Sequence, residues 1–409
     1  MTTTTIDATT ASAPVAPFKV DVSAGGHDGT VSQQWMSRPH DQRFLSLTAL
    51  EEFKRKFYEG SWQGRCESNK VELVPPAELK SRADLHRLQV GVTVSAGDVQ
   101  RSHEVAPSHW SFGQLAGLAK SPAAFLRELP SPMVCDVLNW RMRHNREVED
   151  IKFYGDDSVL HAATGPDYGR IPDYEVVQAV QQVAGDGRGS HRWKIPGVLN
   201  WSNGTYDPEA PVTMDSTTLY ASDRDLFCFL VDDRNPIEVG KTAKGEPDYM
   251  FRGFYIQNSE VGSRSLKLAA FYLRGVCMNR NLWGVEHFED LTIRHTRLAP
   301  DRWLQQAQPA LRAYAEGSAA KLIEGVALAK EAKLADDNEA AIEFLRTRNF
   351  SARATQSILD IAEREEGKPP RTVWDFAQAI TAHARHIPNT DDRLSVELEA
   401  RKILDRVVH

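Results

Sequence analysis

The 409-residue chain predicts an α+β fold: an antiparallel β-meander packed with a long basic helix, plus a helical C-terminal domain. Three observations carry that expectation. Short apolar, aromatic-rich runs bounded by polar loops recur between residues 159 and 256, as strands do. Across residues 263–281, Leu266, Ala269, Ala270, Leu273, Val276 and Cys277 recur at helical spacing. After Asp301 the chain is Ala-rich, amphipathic and punctuated by prolines, which predicts helices to the end.

The elements follow in order. Residues 1–30 are mostly Thr, Ala, Ser and Gly, too poor in large apolar groups to offset their ordering entropy, and are expected to form a disordered tail. Residues 31–150 read as a mixed α/β region. In it Thr48 and Glu51 have capping-box spacing, ahead of an apolar stripe of Leu50, Phe53 and Phe57. The runs VELV and LQVGVTV read as strands, and helices are expected from His109, over 123–129 and over 134–141. The charged run 141–152 marks a boundary.

A central α+β domain over 151–299 comes next. Its strand over 160–169 leads to a helix capped by Asp173, with Val176, Val177, Val180 and Val183 inward. Strands over 194–201, 218–231, 237–239 and 249–256 complete the meander, with a turn expected at 232–236. Residues 300–409 form the helical C-terminal domain, with a break or kink at Pro309, a cap at Ser351 and a further helix over 372–386.

Composition limits the function classes. A net charge of −7 argues against a wholly basic nucleic-acid coat but leaves room for a local basic surface. Cys66, Cys135, Cys228 and Cys277 lie far apart, which suits a reducing compartment and weighs against a disulfide framework or a Cys-rich zinc site. No apolar run is long enough for a membrane span and no signal-peptide pattern opens the chain, so a cytoplasmic setting without a membrane is expected. No cofactor is predicted.

Few motifs carry chemistry. Gly240-Lys241-Thr242 lacks the upstream glycine of a phosphate loop, and Asn235-Pro236 stands where that loop would begin. His287, Glu289, Asp290 and His295 form the one tight group of candidate metal ligands. Strand alternation places His295 beside Leu291 and Ile293 on an apolar face. Cys277 falls on the apolar stripe of the expected helix, where a thiol is a small inert hydrophobe. The other side of that helix aligns Arg264, Lys267, Phe271 and Arg274, and cations interleaved with an aromatic suit a phosphate backbone and an unstacked base. Arg252, between Phe251 and Phe254, and Arg294 extend the pattern.

The segments QWMSRPHDQRFLSL, SHWSFGQLAGLAKSPAAFLRELP, ATGPDYGRI, LYASDRDLFCFLVD, RGFYIQNSEVGSRSL, RGVCMNRNLWG and TIRHT occur in this order. Together they resemble phage/plasmid-like proteins of mobile elements that carry a domain of unknown function. KPPRTVWDFAQAITAHAR is similar to the helical tail of their longer plasmid members. The resemblance spans most of residues 34–409, implies a bacterial or phage setting linked to mobile DNA, and carries no catalytic residues with it. At fold level the order meander, turn, basic helix and strand is also similar to Rad-type single-strand annealing proteins. These form rings, which implies a homo-oligomer.

The expected function is therefore a non-enzymatic protein that binds, and anneals, single-stranded nucleic acid in recombination or replication of phage or plasmid DNA. Arg252, Arg264, Lys267, Arg274 and Arg294 would hold phosphates and Phe271 would stack a base. Two alternatives stand beside it. One is a metal-dependent hydrolase or nuclease centred on His287, Glu289, Asp290 and His295. The other is a structural or assembly protein whose C-terminal helices bind protein partners.

Overall fold

The computed structural model describes residues 40–408 apart from 79, 81–83, 146, 201–204, 243–244, 275–279, 282–290 and 388–389. The expected tail over 1–30 lies outside the described residues. The chain is α+β and its described residues divide into two compact units, one of Ser61–Pro166 and one combining residues 40–60 with Asp167 onward. The division falls after residue 166 rather than near 150. The charged run 141–152 is not a linker: it ends one helix and opens a strand of the same unit.

Strand β1 (Arg43–Phe44) and helix α1 (Leu47–Glu59) belong to the larger unit. Ser46, not Thr48, caps α1, because its extended backbone lets the hydroxyl accept from Ala49 N at 3.1 Å. The resulting helical phase buries Leu47, Leu50, Glu51 and Lys54. Of the expected stripe only Leu50 is fully inside, and Phe53 is exposed.

The smaller unit opens with β2 (Trp62–Glu67), β3 (Glu72–Val74), β4 (Gln89–Ala96) and β5 (Val99–Pro107). Helices α2 (His109–Leu118), α3 (Ala123–Leu126) and α4 (Ser131–Arg143) follow, then β6 (Asp150–Gly155) and β7 (Val159–Thr164). Period-two alternation turns Val90, Val92 and Val94 of β4 inward, where they pack with Cys66, Ile151, Phe153 and Leu160. The helices cover this core with Phe112, Leu115, Val134 and Leu138. The sheet runs β2-β6-β7-β5-β4-β3, and β2 also pairs with β4, so it closes on itself. Gly64 sits at the closure, where an added Cβ would lie 2.7 Å from Val94 Cβ.

The larger unit continues with α5 (Asp173–Ala184), β8 (Val198–Asn200), β9 (Thr205–Asp207), β10 (Leu219–Ala221), β11 (Leu226–Lys241), β12 (Pro247–Asn258) and β13 (Leu266–Arg274). Short strands β14 (Arg280–Asn281) and β15 (Leu291–Ile293) pair with β13. The expected antiparallel meander is present as β10-β11-β12-β13. Residues 232–236, expected as a turn, instead lie inside β11, whose register slips between Asp232 and Ile237. That bulge accommodates Pro236, which cannot donate to a regular ladder. Asp173 is the first residue of α5 rather than its cap, and Pro172 takes the cap position.

The expected helix over 263–281 is not helical where it is described. Residues 266–274 form strand β13, paired to β12 from Met250↔Arg274 to Gln257↔Lys267. LKLAAFYLR is almost continuously apolar, and such a run fits a helix stripe or a strand buried on both faces equally well. The unpaired edge of β12 decides. Leu266, Leu268, Ala270 and Tyr272 join one core and Ala269, Phe271 and Leu273 another. Cys277 and the rest of 275–279 lie outside the described residues.

Six helices close the chain: α6 (Ala299–Glu316), α7 (Ala320–Glu331), α8 (Asn338–Thr347), α9 (Ala352–Glu366), α10 (Val373–Ala384) and α11 (Thr390–Val408). Pro309 lies within α6, and the break falls at Gly317. Ser351 caps α9, and Thr372 with Asp375 forms a reciprocal capping box on α10. Nearly every residue of α10 is buried, so this helix is the centre of the helical layer. These helices share one continuous core with α1, α5 and the sheet. They are not a separate domain. No described helix is long and apolar enough to cross a membrane.

Candidate nucleic-acid interface

The structure scatters and buries most of the expected binding face. Phe271 is fully buried, its ring 4.7 Å from that of Phe229. Gly253 pairs with it in register, and a Cβ there would come within 2.3 Å of the Phe271 ring. Phe271 is therefore a core residue and has no free face for a base. Arg274 is 2% exposed and makes a bidentate pair with Asp248, Nε to Oδ1 at 2.8 Å and Nη2 to Oδ2 at 3.0 Å. Its Nη1 reaches Glu366 Oε1 at 2.5 Å, and its guanidinium lies over Trp374. Lys330 Nζ adds a contact to Asp248 at 3.2 Å. These groups tie β12 and β13 to α7, α9 and α10.

The other expected cations are also engaged. Arg252 is buried and donates to Gly317 O at 2.7 Å. Arg264 lies 3.4 Å from Asp225, and Lys267 lies over the Tyr255 ring. Arg294 alone of the six stays exposed.

Four of the segments quoted above, around residues 168–173, 222–225, 258–264 and 295, meet at a buried ionic centre. Lys54 Nζ of α1 lies 2.8 Å from Asp173 Oδ2 and donates to Ser222 O at 3.1 Å. Asn258 Nδ2 donates to Asp173 Oδ1 and to Ile171 O, each at 2.8 Å. Glu260 Oε1 accepts from Asp173 N at 2.9 Å, and Arg170 donates to Glu260 O. Ser222 Oγ donates to Asp225 Oδ1 at 2.8 Å, and Tyr168 OH donates to Ser259 O at 3.0 Å.

Burial alone would depress Lys54, but Asp173 and Glu260 outweigh it and hold its pKa above the ordinary lysine value. Burial, reinforced by Asp173, pushes Glu260 up against the opposing pull of Lys54. The centre is internally paired and fixes the start of α5 against the ends of β11 and β12. Its chemistry is that of a lock.

The expected metal group does not assemble among the described residues, where no three candidate ligands converge. His287, Glu289 and Asp290 lie outside the described residues. His295 stacks on Tyr168, and its Nδ1 lies 3.0 Å from Gly169 O, an arrangement of a structural imidazole donating to a carbonyl. Burial lowers its pKa. Cys66, Cys135 and Cys228 are buried free thiols.

A different cationic surface is present. Arg294 and Arg297 follow β15, and Arg302 and Arg312 lie on α6. All four are exposed, and none has an ion-pair partner among the described residues. Helical phase explains the last two. Ala299, Trp303, Ala307 and Tyr314 face the core, which turns Arg302 and Arg312 to solvent about 15 Å apart along the axis. Between residues 291 and 316 these four arginines stand against only Asp301 and Glu316. The sequence signal that could have found them was the polar face of a helix beginning at Ala299, which is visible once Trp303 and Tyr314 are read as core.

Comparisons with family models, with curated proteins and with solved structures find no match.

Proposed function

We propose that the protein binds single-stranded nucleic acid through the arginines of the β15–α6 segment, in recombination or replication of phage or plasmid DNA. The observation that carries the reading is the set Arg294, Arg297, Arg302 and Arg312, exposed and without ion-pair partners among the described residues. Guanidinium groups of this kind hold phosphates and release condensed counterions, giving affinity that falls steeply with salt and depends little on base sequence. An acidic total charge of −7 does not oppose this, because screening confines each charge to about 8–10 Å at ordinary ionic strength. The resemblance to proteins of mobile elements supports a bacterial cytoplasmic setting for this reading.

The test is fluorescence anisotropy of the full chain with a labelled oligothymidylate, titrated at about 50 and 200 mM salt. The expected result is salt-sensitive binding that weakens in Arg302→Ala/Arg312→Ala while the melting temperature stays put. Salt-insensitive binding, or unaltered affinity in the double variant, would remove this surface as the interface.

A further inference from the structure

The strand order of the smaller unit carries a second binding surface. Strands β2 and β3 act as one bent strand interrupted by a 3-10 turn at Ser68–Lys70: its first half pairs β6 and its second half pairs β4. Counting that bent strand first, the barrel strands in chain order are β2/β3, β4, β5, β6 and β7. Around the barrel they run first, second, third, fifth, fourth and back to first. Every neighbouring pair is antiparallel except the third and fifth, where β5 and β7 run parallel through Ala106↔Val159 and Pro107↔Leu160. The helices α2–α4 fall between the third and fourth strands. This is the connectivity of the oligonucleotide/oligosaccharide-binding barrel, in which the second and third strands and the loops after the first and fourth strands form the ligand face.

The residues on that face are sorted by charge. Directly opposed residues of antiparallel strands share a face. Since Cys66 and Val94 point inward, Arg65 and Ser95 point outward. Register then aligns Lys152, Arg65, Ser95 and Gln100 in one row across β6, β2, β4 and β5, roughly 14 Å long at ordinary strand spacing. The next row holds Thr93 and Ser102, whose hydroxyls lie 3.0 Å apart. That row's β2 and β6 positions are Glu67 and Asp150, Glu67 being paired with Lys70, and Glu72 and Glu104 flank Gly91 one row farther along, so the Arg65 row is the one without a carboxylate. Arg65 is exposed and has no ion-pair partner among the described residues.

We propose that the outward face of β4–β5, extended by Arg65, is a second binding surface for single-stranded nucleic acid, with the phosphate chain crossing the strands along the Arg65 row. The ligand class rests on the reading given above, whereas the surface rests on barrel connectivity and register alone. An acid-free row of cations and hydrogen-bonding side chains suits a polyanion, and the Thr93–Ser102 hydroxyl pair beside its β4–β5 end suits sugar edges.

The experiment compares three forms of the full chain by anisotropy with a labelled oligothymidylate of about twenty nucleotides. They are the native chain, Arg65→Glu/Gln100→Glu, and Arg302→Ala/Arg312→Ala. All four substituted positions, Arg65, Gln100, Arg302 and Arg312, are exposed, and circular dichroism melts verify folding. The expected result is roughly tenfold weaker binding in the barrel-face variant at low salt, with an unchanged melt. Loss of binding only in the Arg302/Arg312 variant overturns the barrel face and leaves the proposed function standing. Loss only in the barrel-face variant supports this inference and moves the interface off α6. Absence of any binding by the native chain overturns both. A parallel titration with maltoheptaose separates the other ligand class of such barrels: sugar binding that Arg65→Glu/Gln100→Glu abolishes, without oligonucleotide binding, overturns the nucleic-acid assignment.

Discussion

Strand β13 and the β15–α6 segment lie close in sequence and are similarly rich in cations, yet the fold uses them in opposite ways. On β13 and its neighbours, Arg274 and Arg252 are buried against carboxylates or carbonyls, and Phe271 fills a core. On β15–α6, Arg294, Arg297, Arg302 and Arg312 reach solvent without ion-pair partners among the described residues. The difference teaches that a cation's role follows from what pairs with it. A guanidinium inside a sheet must be neutralised, because burying an unpaired charge costs far more than a fold can supply. One on the outer face of an amphipathic helix has no such constraint and is available to a polyanion.

The sharpest way to break that comparison is Arg274→Ala. It leaves Asp248 buried beside only Lys330, and a loss of about 3–5 kcal/mol in urea unfolding is expected. A loss under about 0.5 kcal/mol would show that the lock contributes nothing. Thr372→Ala removes one half of the α10 capping box and should cost about 1 kcal/mol by the same measurement. Arg302→Ala/Arg312→Ala belongs at the other end of the stability scale, within about 0.5 kcal/mol of the native chain. Its effect should appear instead in the salt dependence of oligonucleotide affinity, whose log–log slope should shrink by about 0.7 for each lost phosphate contact.

The smallest effect sharpens the buried side further. Burial, with Asp173 beside it, raises the Glu260 pKa above its ordinary 4.5. A carboxyl raised in the folded state takes up a proton more readily folded than unfolded. Its contribution is therefore complete below pH 4.5 and is lost as pH rises through the folded value. Glu260→Gln should flatten that dependence and gain stability relative to the native chain as pH rises above 4.5, measured by urea unfolding across that window. A constant difference between the two chains would mean that Glu260 does not titrate in that window.

Much of the fold was legible in local patterns. The helices at 109–118, 338–347, 352–366 and 373–384, the cap at Ser351, and the meander through 219–258 follow from periodicity and capping chemistry that neighbours alone determine. The candidate site was less legible. Arg264, Lys267, Phe271 and Arg274 were chosen on helical spacing, and strand β13 breaks that alignment, leaving Arg264 outside the strand and putting Arg274 on the face opposite Lys267 and Phe271. His295 was placed on an inward side, and its packing against Tyr168 and Gly169 agrees.

What the sequence by itself determined, then, is where chain segments turn apolar, where helices begin, and that no catalytic motif stands out. Tertiary structure decided three things. It made residues 266–274 a strand, because β12 offered an edge whose hydrogen bonds a helix could not satisfy. It joined the C-terminal helices to the sheet's core, because both present apolar faces that only each other can cover. And it closed β2 onto β4 to make a barrel, a pairing between distant segments that no local period encodes.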